Sequence, residues 1–501
     1  MKTNQMAFPL AMLIACLGAM ALAGRVRAQT FTTLHNFTTG NNNPAFGYTN
    51  TDGVNPSASL ILSGNTLYGP AGDGGSFGKG TLFKVDTNGT GFLVLHAFTG
   101  ASDGGGPNGN MILCDNTLYG TTYNGVFKIN TNGTEFAVVY KFTSVYLNTN
   151  ITSYYPYTNN DGNSPVAGVV LSDDALYGTA QYGGIAGNGT VFKVNTNGTG
   201  FAALHSFSAL SSSGNSAPTN SDGAQPVASL SLSGNTLYGT AQLGGGGRSG
   251  TVFSVNKDGT GFKILHSFES VSGPSPSTNS EGGFPAGRLI ISGTTVYGAA
   301  TGGGSSGNGT LFKVDTNGAG FTALHVFVGN DGRAPGEIVL SGNTLYGTTA
   351  RGGISGNGTV FAVSTDGTGF RVIHDFAALT GSAGDAGKGT NTDGAIPYAG
   401  LFLSGDTLYG GAYEGGNSGN GTIFSLTLPV AVAPQLTLIP SAGNSVLTWP
   451  TNAVEFTLQS ATNLGPTAIW TTNSPAPVVV NGLNTVTNPI SGTQEFFRLS
   501  Q

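Results

Sequence analysis

The hydrophobic positions of the chain fall into short runs separated by stretches of Gly, Asn, Asp, Ser and Thr. A group of four runs recurs with small departures: P-x-A-x-L-x-L, T-L-Y-G-T, T-V-F-K-V and G-F-x-x-L-H-x-F. The runs are rich in Val, Leu, Phe, Tyr and Thr and are too short for helices, so each predicts a β-strand. No stretch after residue 28 shows the period of an amphipathic helix.

The connections predict which strands share a sheet. Runs one and two are joined by Ser-Gly-Asn, and runs two and three by a short glycine loop. Runs three and four are joined by Asn-Gly, which favours a tight hairpin with two adjacent positive φ angles. Only the link from run four to the next unit is long and variable, between 3 and 18 residues. We therefore expect one four-stranded antiparallel sheet per unit.

The number of units predicts the architecture. The Tyr-Gly signature recurs every 49 to 63 residues, at Tyr68, Tyr119, Tyr177, Tyr238, Tyr297, Tyr346 and Tyr409. Seven repeated four-stranded units predict an all-β, kelch-like, seven-bladed β-propeller. Residues 31–37 are a run four without the other three, and the last unit stops after Leu426. We expect this N-terminal strand to complete the last blade and close the ring.

The ends of the chain differ from the repeats. Residues 1–28 have an apolar core and end in Val-Arg-Ala, which predicts a secretory signal peptide cleaved after Ala28. Residues 29–428 hold the array. The whole chain has 83 glycines, and they mark turns and not disorder because they fall at fixed positions of the repeat. Residues 429–434 are interpreted as a linker. Residues 435–501 contain both tryptophans and short alternating runs, which predict a small immunoglobulin-like or fibronectin-like sandwich.

The leader predicts an exported protein that is secreted, periplasmic or on the cell surface. Cys16 lies in a sequence similar to a bacterial lipobox, so a lipid anchor there is the alternative. Without the leader the chain has 15 basic and 24 acidic residues, a formal net charge of −9. This charge disfavours nucleic acid and anionic membranes as partners. We expect no membrane-spanning segment and a monomer.

Two residue types recur once per unit. Six histidines (His35, His96, His205, His266, His325, His374) occupy one position of run four, with Tyr140 in the seventh. Repetition favours a structural role, a ring nitrogen bonded to a neighbouring strand, and leaves no histidine for a unique catalytic site. An acidic residue stands four positions before each proline of run one, at Asp52, Asp103, Asp161, Asp222, Glu281, Asp331 and Asp393. We favour turns in which the carboxylate accepts backbone N–H groups. The alternative is an acidic ring at the channel mouth that binds calcium, with no other cofactor expected.

Length variation is concentrated on one predicted face, where the links and the glycine loops lie together. Loops on such a face commonly carry function. Its aromatic and charged residues are candidates for ligand binding: Phe46, Tyr48, Tyr146, Tyr154, Tyr155, Tyr157, Tyr182, Arg248, Arg351, Tyr413 and Glu414. Tyrosines on a polar face suit stacking on sugars or docking of a protein. They also suit simple packing against the blades.

The repeat resembles a known family. The sequence from Leu230 to Phe262 (L-x-L-S-G-N-T-L-Y-G-T-A through T-V-F-S-V-N and G-T-G-F) is similar to the GloVer tandem repeat, named for Gloeobacter and Verrucomicrobia. The resemblance extends over residues 31–428, with a shortened glycine loop in the second unit. It implies an exported bacterial propeller and implies no catalytic residues.

These observations predict a non-enzymatic binding module for a carbohydrate or protein ligand. The first alternative is a hydrolase or lyase that acts on glycans with carboxylates at the channel mouth. A hydrolase needs two unique carboxylates at a set distance, and no motif marks such a pair among Asp73, Glu269, Asp385 and Glu414. The second alternative is a structural component of the cell envelope.

Overall fold

A computed structural model of the protein describes residues 29–500, except 46, 152, 154, 212–217, 274, 382–388, 430–435, 442–443, 451–455, 464–467, 473–474, 481 and 490–494. The expected leader with Cys16, most of the linker, Phe46, Tyr154 and Asp385 lie outside the described residues. The chain divides into two compact units, Thr30–Thr427 and a second that contains Leu428–Gln501. Every regular element in the described residues is a β-strand, and none of them forms a helix able to cross a membrane.

The first half of the larger unit contains three complete sheets. The unit begins with β1 (Thr30–Asn36) and a ribbon of β2 (Asn41–Asn43) and β3 (Gly47–Thr49). Sheet one contains β4 (Ile61–Ser63), β5 (Thr66–Ala71), β6 (Thr81–Asp86) and β7 (Leu93–Ala97). Sheet two contains β8 (Ile112–Cys114), β9 (Thr117–Thr122), β10 (Gly125–Asn130) and β11 (Ala137–Lys141). After a ribbon of β12 (Tyr146–Leu147) and β13 (Tyr157–Thr158), sheet three contains β14 (Val170–Ser172), β15 (Ala175–Ala180), β16 (Thr190–Asn195) and β17 (Ala202–Ser206).

The second half repeats the same antiparallel arrangement. Sheet four contains β18 (Ser231–Ser233), β19 (Thr236–Ala241), β20 (Thr251–Asn256) and β21 (Lys263–Ser267). Sheet five contains β22 (Gly283–Pro285), β23 (Ile290–Ser292), β24 (Thr295–Gly302), β25 (Thr310–Asp315) and β26 (Thr322–Val326). Sheet six contains β27 (Arg333–Ser341), β28 (Thr344–Arg351), β29 (Thr359–Ser364) and β30 (Arg371–Asp375). Sheet seven contains β31 (Phe402–Ser404), β32 (Thr407–Ala412) and β33 (Thr422–Thr427), followed by β1.

The N-terminal strand is thus the fourth strand of the last sheet. Thr30 lies opposite Thr427 and Asn36 opposite Thr422 in an antiparallel register. A β-bulge recurs between the third and fourth strands of every sheet, for example at Leu82 and Phe83 in sheet one. Because β1 has this bulge at the same position, it matches the outer strands of the other six sheets.

The turn between the third and fourth strands differs from the prediction in one respect. Gly89 has a φ of 83°, but Asn88 is not among the residues with positive φ. Instead, Asn88 Oδ1 accepts the N–H of Thr90 at 2.9 Å, and the N–H of Gly89 donates to the carbonyl of Asp86. Of the Asn-Gly pair, therefore, only the glycine adopts the left-handed backbone region. The asparagine contributes a side-chain oxygen that accepts a hydrogen bond within the turn.

The core lies between consecutive sheets. Tyr68 and Phe98 of sheet one pack with Met111 and Phe127 of sheet two, and equivalent clusters follow along the chain. The first and last sheets are also in contact, because Phe37 and Tyr409 of sheet seven share a buried cluster with residues of sheet one. Each sheet thus buries both of its faces.

The smaller unit has two antiparallel sheets. One has the strand order β34 (Thr437–Ser441), β35 (Asn444–Pro450), β39 (Leu483–Pro489) and β38 (Val478–Val480). The other has the order β37 (Thr471–Thr472), β36 (Thr457–Ala461) and β40 (Phe496–Ser500). Trp449, Leu447 and Val486 from the first sheet and Leu458 from the second form one buried cluster.

Candidate functional site

The repeated histidines and the repeated acidic residues form pairs. In each case the histidine Nε2–H donates to a carboxylate oxygen, at distances from 2.9 to 3.2 Å. The pairs are His35–Asp52, His96–Asp103, His205–Asp222, His266–Glu281, His325–Asp331 and His374–Asp393. Tyr140 donates its hydroxyl proton to Asp161 at 2.9 Å. The expectation of a strand as the histidine partner was wrong, because the partner is the carboxylate of the following link.

Each pair fastens one sheet to the next. The histidine belongs to a fourth strand, and the acidic residue belongs to the link that leads to the next sheet. The same ring stacks on the phenylalanine that precedes the fourth strand of the next sheet, as in His205 on Phe262 at 3.6 Å between ring centroids. The contact recurs at the interface of the last and first sheets, where His35 stacks on Phe92 at 3.7 Å. We call each His or Tyr, its acid and this phenylalanine a clasp.

All seven carboxylates already accept hydrogen bonds within these clasps. Asp222 also accepts the N–H and the hydroxyl of Ser208, and similar bonds from backbone N–H groups are made at the other six acids. Burial raises the pKa of Asp222, but hydrogen bonds from His205 and Ser208 outweigh it and hold the pKa below its usual value. None of the seven acids lines the central cavity described next, and the described residues contain no cluster of three or more His, Cys, Asp or Glu suited to a metal.

A cavity of about 1010 Å³, called the central cavity below, is lined mainly by residues near the beginning of the first strand of each sheet. Each sheet contributes residues from the start of its first run: Ser57, Asn108, Val166, Val227, Ala286, Gly336 and Tyr398. The glycine loops add Gln181, Gln242, Arg351, Tyr413 and Glu414. The wall combines these amides and hydroxyls with many glycine, alanine, valine and proline residues and with a few charged and aromatic groups.

A carboxylate lies across this cavity. Glu337, from the first strand of sheet six, accepts hydrogen bonds from Asn110 Nδ2 at 2.8 and 2.9 Å and from Ser59 Oγ at 3.1 Å. It thereby joins sheet six to sheets one and two. Gly400 permits this crossing, since a Cβ at that position would clash with Ser59 Oγ and lie 2.6 Å from Glu337 Oε2. Both carboxylate oxygens are occupied by donors from other sheets.

Sequence reasoning missed Glu337 and its neighbour Arg333. The signal was a departure from the repeat: the sixth unit has one residue fewer between its proline and the next buried aliphatic residue. In the structure this shortening appears as an irregular register between Pro335 and Ile338, within a nine-residue first strand. The repeat pattern gave no indication of Glu337, because the residue occurs in only one unit.

Aromatic and acidic groups cluster on one side of the cavity mouth. Burial raises the pKa of Tyr413, and the nearby acids Asp73 and Glu414 and phenols Tyr123 and Tyr398 raise it further. Tyr398 is 57% exposed and lines the cavity, so its ring is accessible to a ligand. The predicted residues Tyr413, Glu414 and Arg351 are thus brought together at one opening, with Tyr398 and Arg333 added by the structure.

The other predicted loop residues lie away from this opening. The hydroxyl of Tyr48 already has two partners, because it accepts hydrogen bonds from the N–H of Gly40 and from Asn420 Nδ2. Tyr146 and Tyr157 are exposed, but the register of β12 and β13 places them on opposite sides of the ribbon. The remaining three do not line the cavity either: Tyr155 and Tyr182, whose rings are 6.0 Å apart, and the partly buried Arg248.

The comparisons with known proteins identify the family. The profile of the Gloeobacter/Verrucomicrobia repeat matches residues 137–280, 217–387 and 277–429, which together cover more than half of the chain. The chain belongs to this repeat family. The GloVer matches begin in sheet two, although sheets β4–β7 and β8–β11 have the same strand order as the matched units. No curated protein matches the GloVer chain.

Solved structures similar to this GloVer protein are distant from it. An oligogalacturonate lyase from Vibrio parahaemolyticus is 10% identical with a TM-score of 0.45, covering 80% of this chain and 98% of the lyase. An oligogalacturonate lyase in complex with manganese is 12% identical with a TM-score of 0.46, covering 76% and 91%. A puromycin-hydrolyzing peptidase from Mycobacterium tuberculosis is 12% identical with a TM-score of 0.44, covering 86% and 64%. Likeness at this level carries no argument about activity.

Proposed function

We propose that the seven sheets are the blades of a closed β-propeller and that the protein binds a carbohydrate in the central cavity. Closure is supported by the shared cluster of sheets one and seven and by the clasp between them, His35, Asp52 and Phe92. It is also supported by the cavity lining, to which the first run of every unit contributes residues. In this arrangement β1 covers the edge of β33 in the last sheet.

The observation that carries the binding proposal is the chemistry of the cavity wall. Side-chain amides of Asn108, Gln181 and Gln242 can both donate and accept, which suits the hydroxyl groups of a sugar. Tyr398 and Tyr413 line the same cavity and offer apolar ring faces. The cavity is also at the upper end of the size of ordinary ligand pockets, roughly 300 to 1,000 Å³.

The enzymatic alternative rests on two carboxylates that line the cavity, Glu337 and Glu414. Both oxygens of Glu337 already accept hydrogen bonds from Asn110 and Ser59, so this carboxylate has a structural role between sheets. Of the other acids considered from the sequence, Glu269 and Asp73 do not line the cavity. We therefore prefer binding without catalysis.

Export after cleavage at Ala28 and an immunoglobulin-like fold for the smaller unit are parts of the same proposal. The strand orders β34-β35-β39-β38 and β37-β36-β40 support the second part, because the four-stranded sheet follows the A-B-E-D order of immunoglobulin domains. An exported chain would meet polysaccharides outside the cell, which fits a carbohydrate ligand.

The proposal is tested by binding of the purified protein to a glycan array, with and without calcium. Replacing Tyr398→Ala should weaken binding by about tenfold, because a stacking face is lost. Tyr146→Ala is the matched control, since Tyr146 is 59% exposed but does not line the cavity. Equal losses in both variants would move the site away from the cavity, and release of new reducing ends would favour the enzymatic alternative.

A further inference from the structure

Two arginines face each other at the cavity mouth. Arg333 begins β27 and Arg351 ends β28, and the two residues are direct cross-strand partners. Both are exposed and both line the cavity. Like charges placed opposite one another on a sheet repel. None of the ion pairs found among the described residues includes either arginine.

The fold does not require arginine at these two positions. The equivalent pairs in five other sheets are Val54–Asp73, Asn163–Tyr182, Ala224–Leu243, Gly283–Gly302 and Ala395–Glu414. Every one of them keeps the backbone pairing with different side chains. The double arginine is therefore specific to the sixth sheet, as are Glu337 and the nine-residue first strand.

We infer that the ligand of the central cavity is an acidic oligosaccharide, with its carboxylate or sulfate group held between Arg333 and Arg351. This inference rests on the carbohydrate binding proposed above and names its ligand class. Guanidinium groups bind planar or tetrahedral oxyanions through paired hydrogen bonds. An anion between the two arginines would also replace their mutual repulsion by two attractions.

The surroundings of the pair favour a sugar over an acidic peptide. Tyr398, on the adjacent sheet, is exposed into the same cavity and offers a stacking face. Gln181 and Gln242 line the same cavity, and their amides suit multiple hydroxyl groups.

The test is isothermal titration of the full protein with tetrasaccharides in three matched forms: uronate-bearing, sulfated and neutral. At least one acidic form should bind about tenfold more tightly than the neutral form. The double variant Arg333→Gln, Arg351→Gln should lose this advantage, so that the acidic and neutral forms bind with similar affinity. Arg371→Gln is the control, since Arg371 is exposed on β30 of the same sheet and does not line the cavity.

The possible failures are distinguishable. Equal affinity for neutral and acidic forms would overturn the acidic ligand while leaving carbohydrate binding in place. No binding of any tetrasaccharide would overturn the proposed function itself. Binding of a poly-glutamate peptide that depends on both arginines, without sugar binding, would assign the pair to an acidic protein partner. Thermal unfolding of the double variant at an unchanged or higher temperature would show that the loss of binding is not a loss of fold.

Discussion

The histidine and carboxylate of a clasp satisfy each other where neither could be left alone. His205 and Asp222 are largely buried, and a buried group without a hydrogen-bond partner is costly. The carboxylate also accepts the backbone N–H of Ser208, which would otherwise lack a partner at the end of the outer strand. One carboxylate thus fixes a ring, a strand end and the link that follows.

Removal of one such carboxylate should destabilise the array. We expect Asp222→Ala to lower the free energy of unfolding by about 2 kcal/mol, because it leaves His205 and the Ser208 N–H without their acceptor. Asp366→Ala is the control, since Asp366 accepts from Thr368 in an exposed hairpin turn. Urea unfolding followed by circular dichroism measures both. A loss no larger than that of the control would contradict the structural role of the clasp.

The sequence predicted a shared structural role for these residues but not their pairing. The histidine and its acid are separated by 6 to 19 residues, since the link between them varies in length. No fixed spacing could therefore connect them. Glu337 and Arg333 could not be predicted from the repeat for another reason, because each occurs in only one unit. Glu337 also takes its hydrogen-bond partners from other sheets.

At the scale of the strand, the most informative element is β1. It pairs along its whole length with β33, and its two rings contact both adjacent sheets: Phe31 stacks on His374 and His35 stacks on Phe92. The run pattern predicted this strand because it repeats run four without the other three. A strand lies in every run that carried the repeat, but the strand in run one is mostly shorter than predicted: β4 is Ile61–Ser63, whereas the run extends from Pro56 to Leu62. The strands β2, β3, β12 and β13 lie in the variable links, which had no repeated pattern to reveal them.

Deletion of β1 should destabilise the array far more than deletion of the longer C-terminal segment, residues 435–501. Removing residues 30–36 exposes the edge of β33 and breaks two clasps, so we expect a lower melting temperature and a tendency to aggregate. Removing residues 435–501 should leave the unfolding of the array unchanged, because they belong to a separate compact unit. Differential scanning calorimetry compares the two deletions. Equal stability of the chain without β1 and the full chain would contradict its role in the array.

At the scale of the whole molecule, the clasps make stability depend on pH. Burial lowers the pKa of His96, His266 and His325 below the usual 6.5, despite their acidic partners. The unfolded chain therefore takes up protons at these histidines before the folded chain does, and acidification below about pH 6.5 favours unfolding. The lowered pKa of Asp103 and Asp222 acts in the same direction below about pH 4.

We predict that the melting temperature falls as the pH is lowered from 7 to 5. Tyr140 makes the same contacts without titrating in this range, because burial and Asp161 raise its pKa. A variant with His96→Tyr, His266→Tyr and His325→Tyr should therefore show a shallower dependence. Thermal unfolding between pH 5 and 8 measures both proteins. An identical slope in the two would contradict the contribution of the histidines.

The residues that hold the sheets together differ from the residues that we propose for binding. The clasps recur at all seven interfaces, whereas Arg333, Glu337 and Arg351 depart from the repeat in sheet six and lie together at the central cavity. The repeated pattern was sufficient to predict the sheets and their order. The candidate site depends on which residues that differ from the repeat line the cavity, and the sequence pattern alone does not show this.

We expect the ligand to lie in the central cavity, and hydrogen–deuterium exchange with and without an acidic tetrasaccharide locates it by the segments that it protects. The ligand should slow exchange in residues 333–351 and 396–414, which contribute the two arginines, Tyr398 and Tyr413 to the cavity. Exchange in residues 146–158 and 436–500 should not change. Protection confined to either of these two segments would place the ligand elsewhere and show that the cavity is not the binding site.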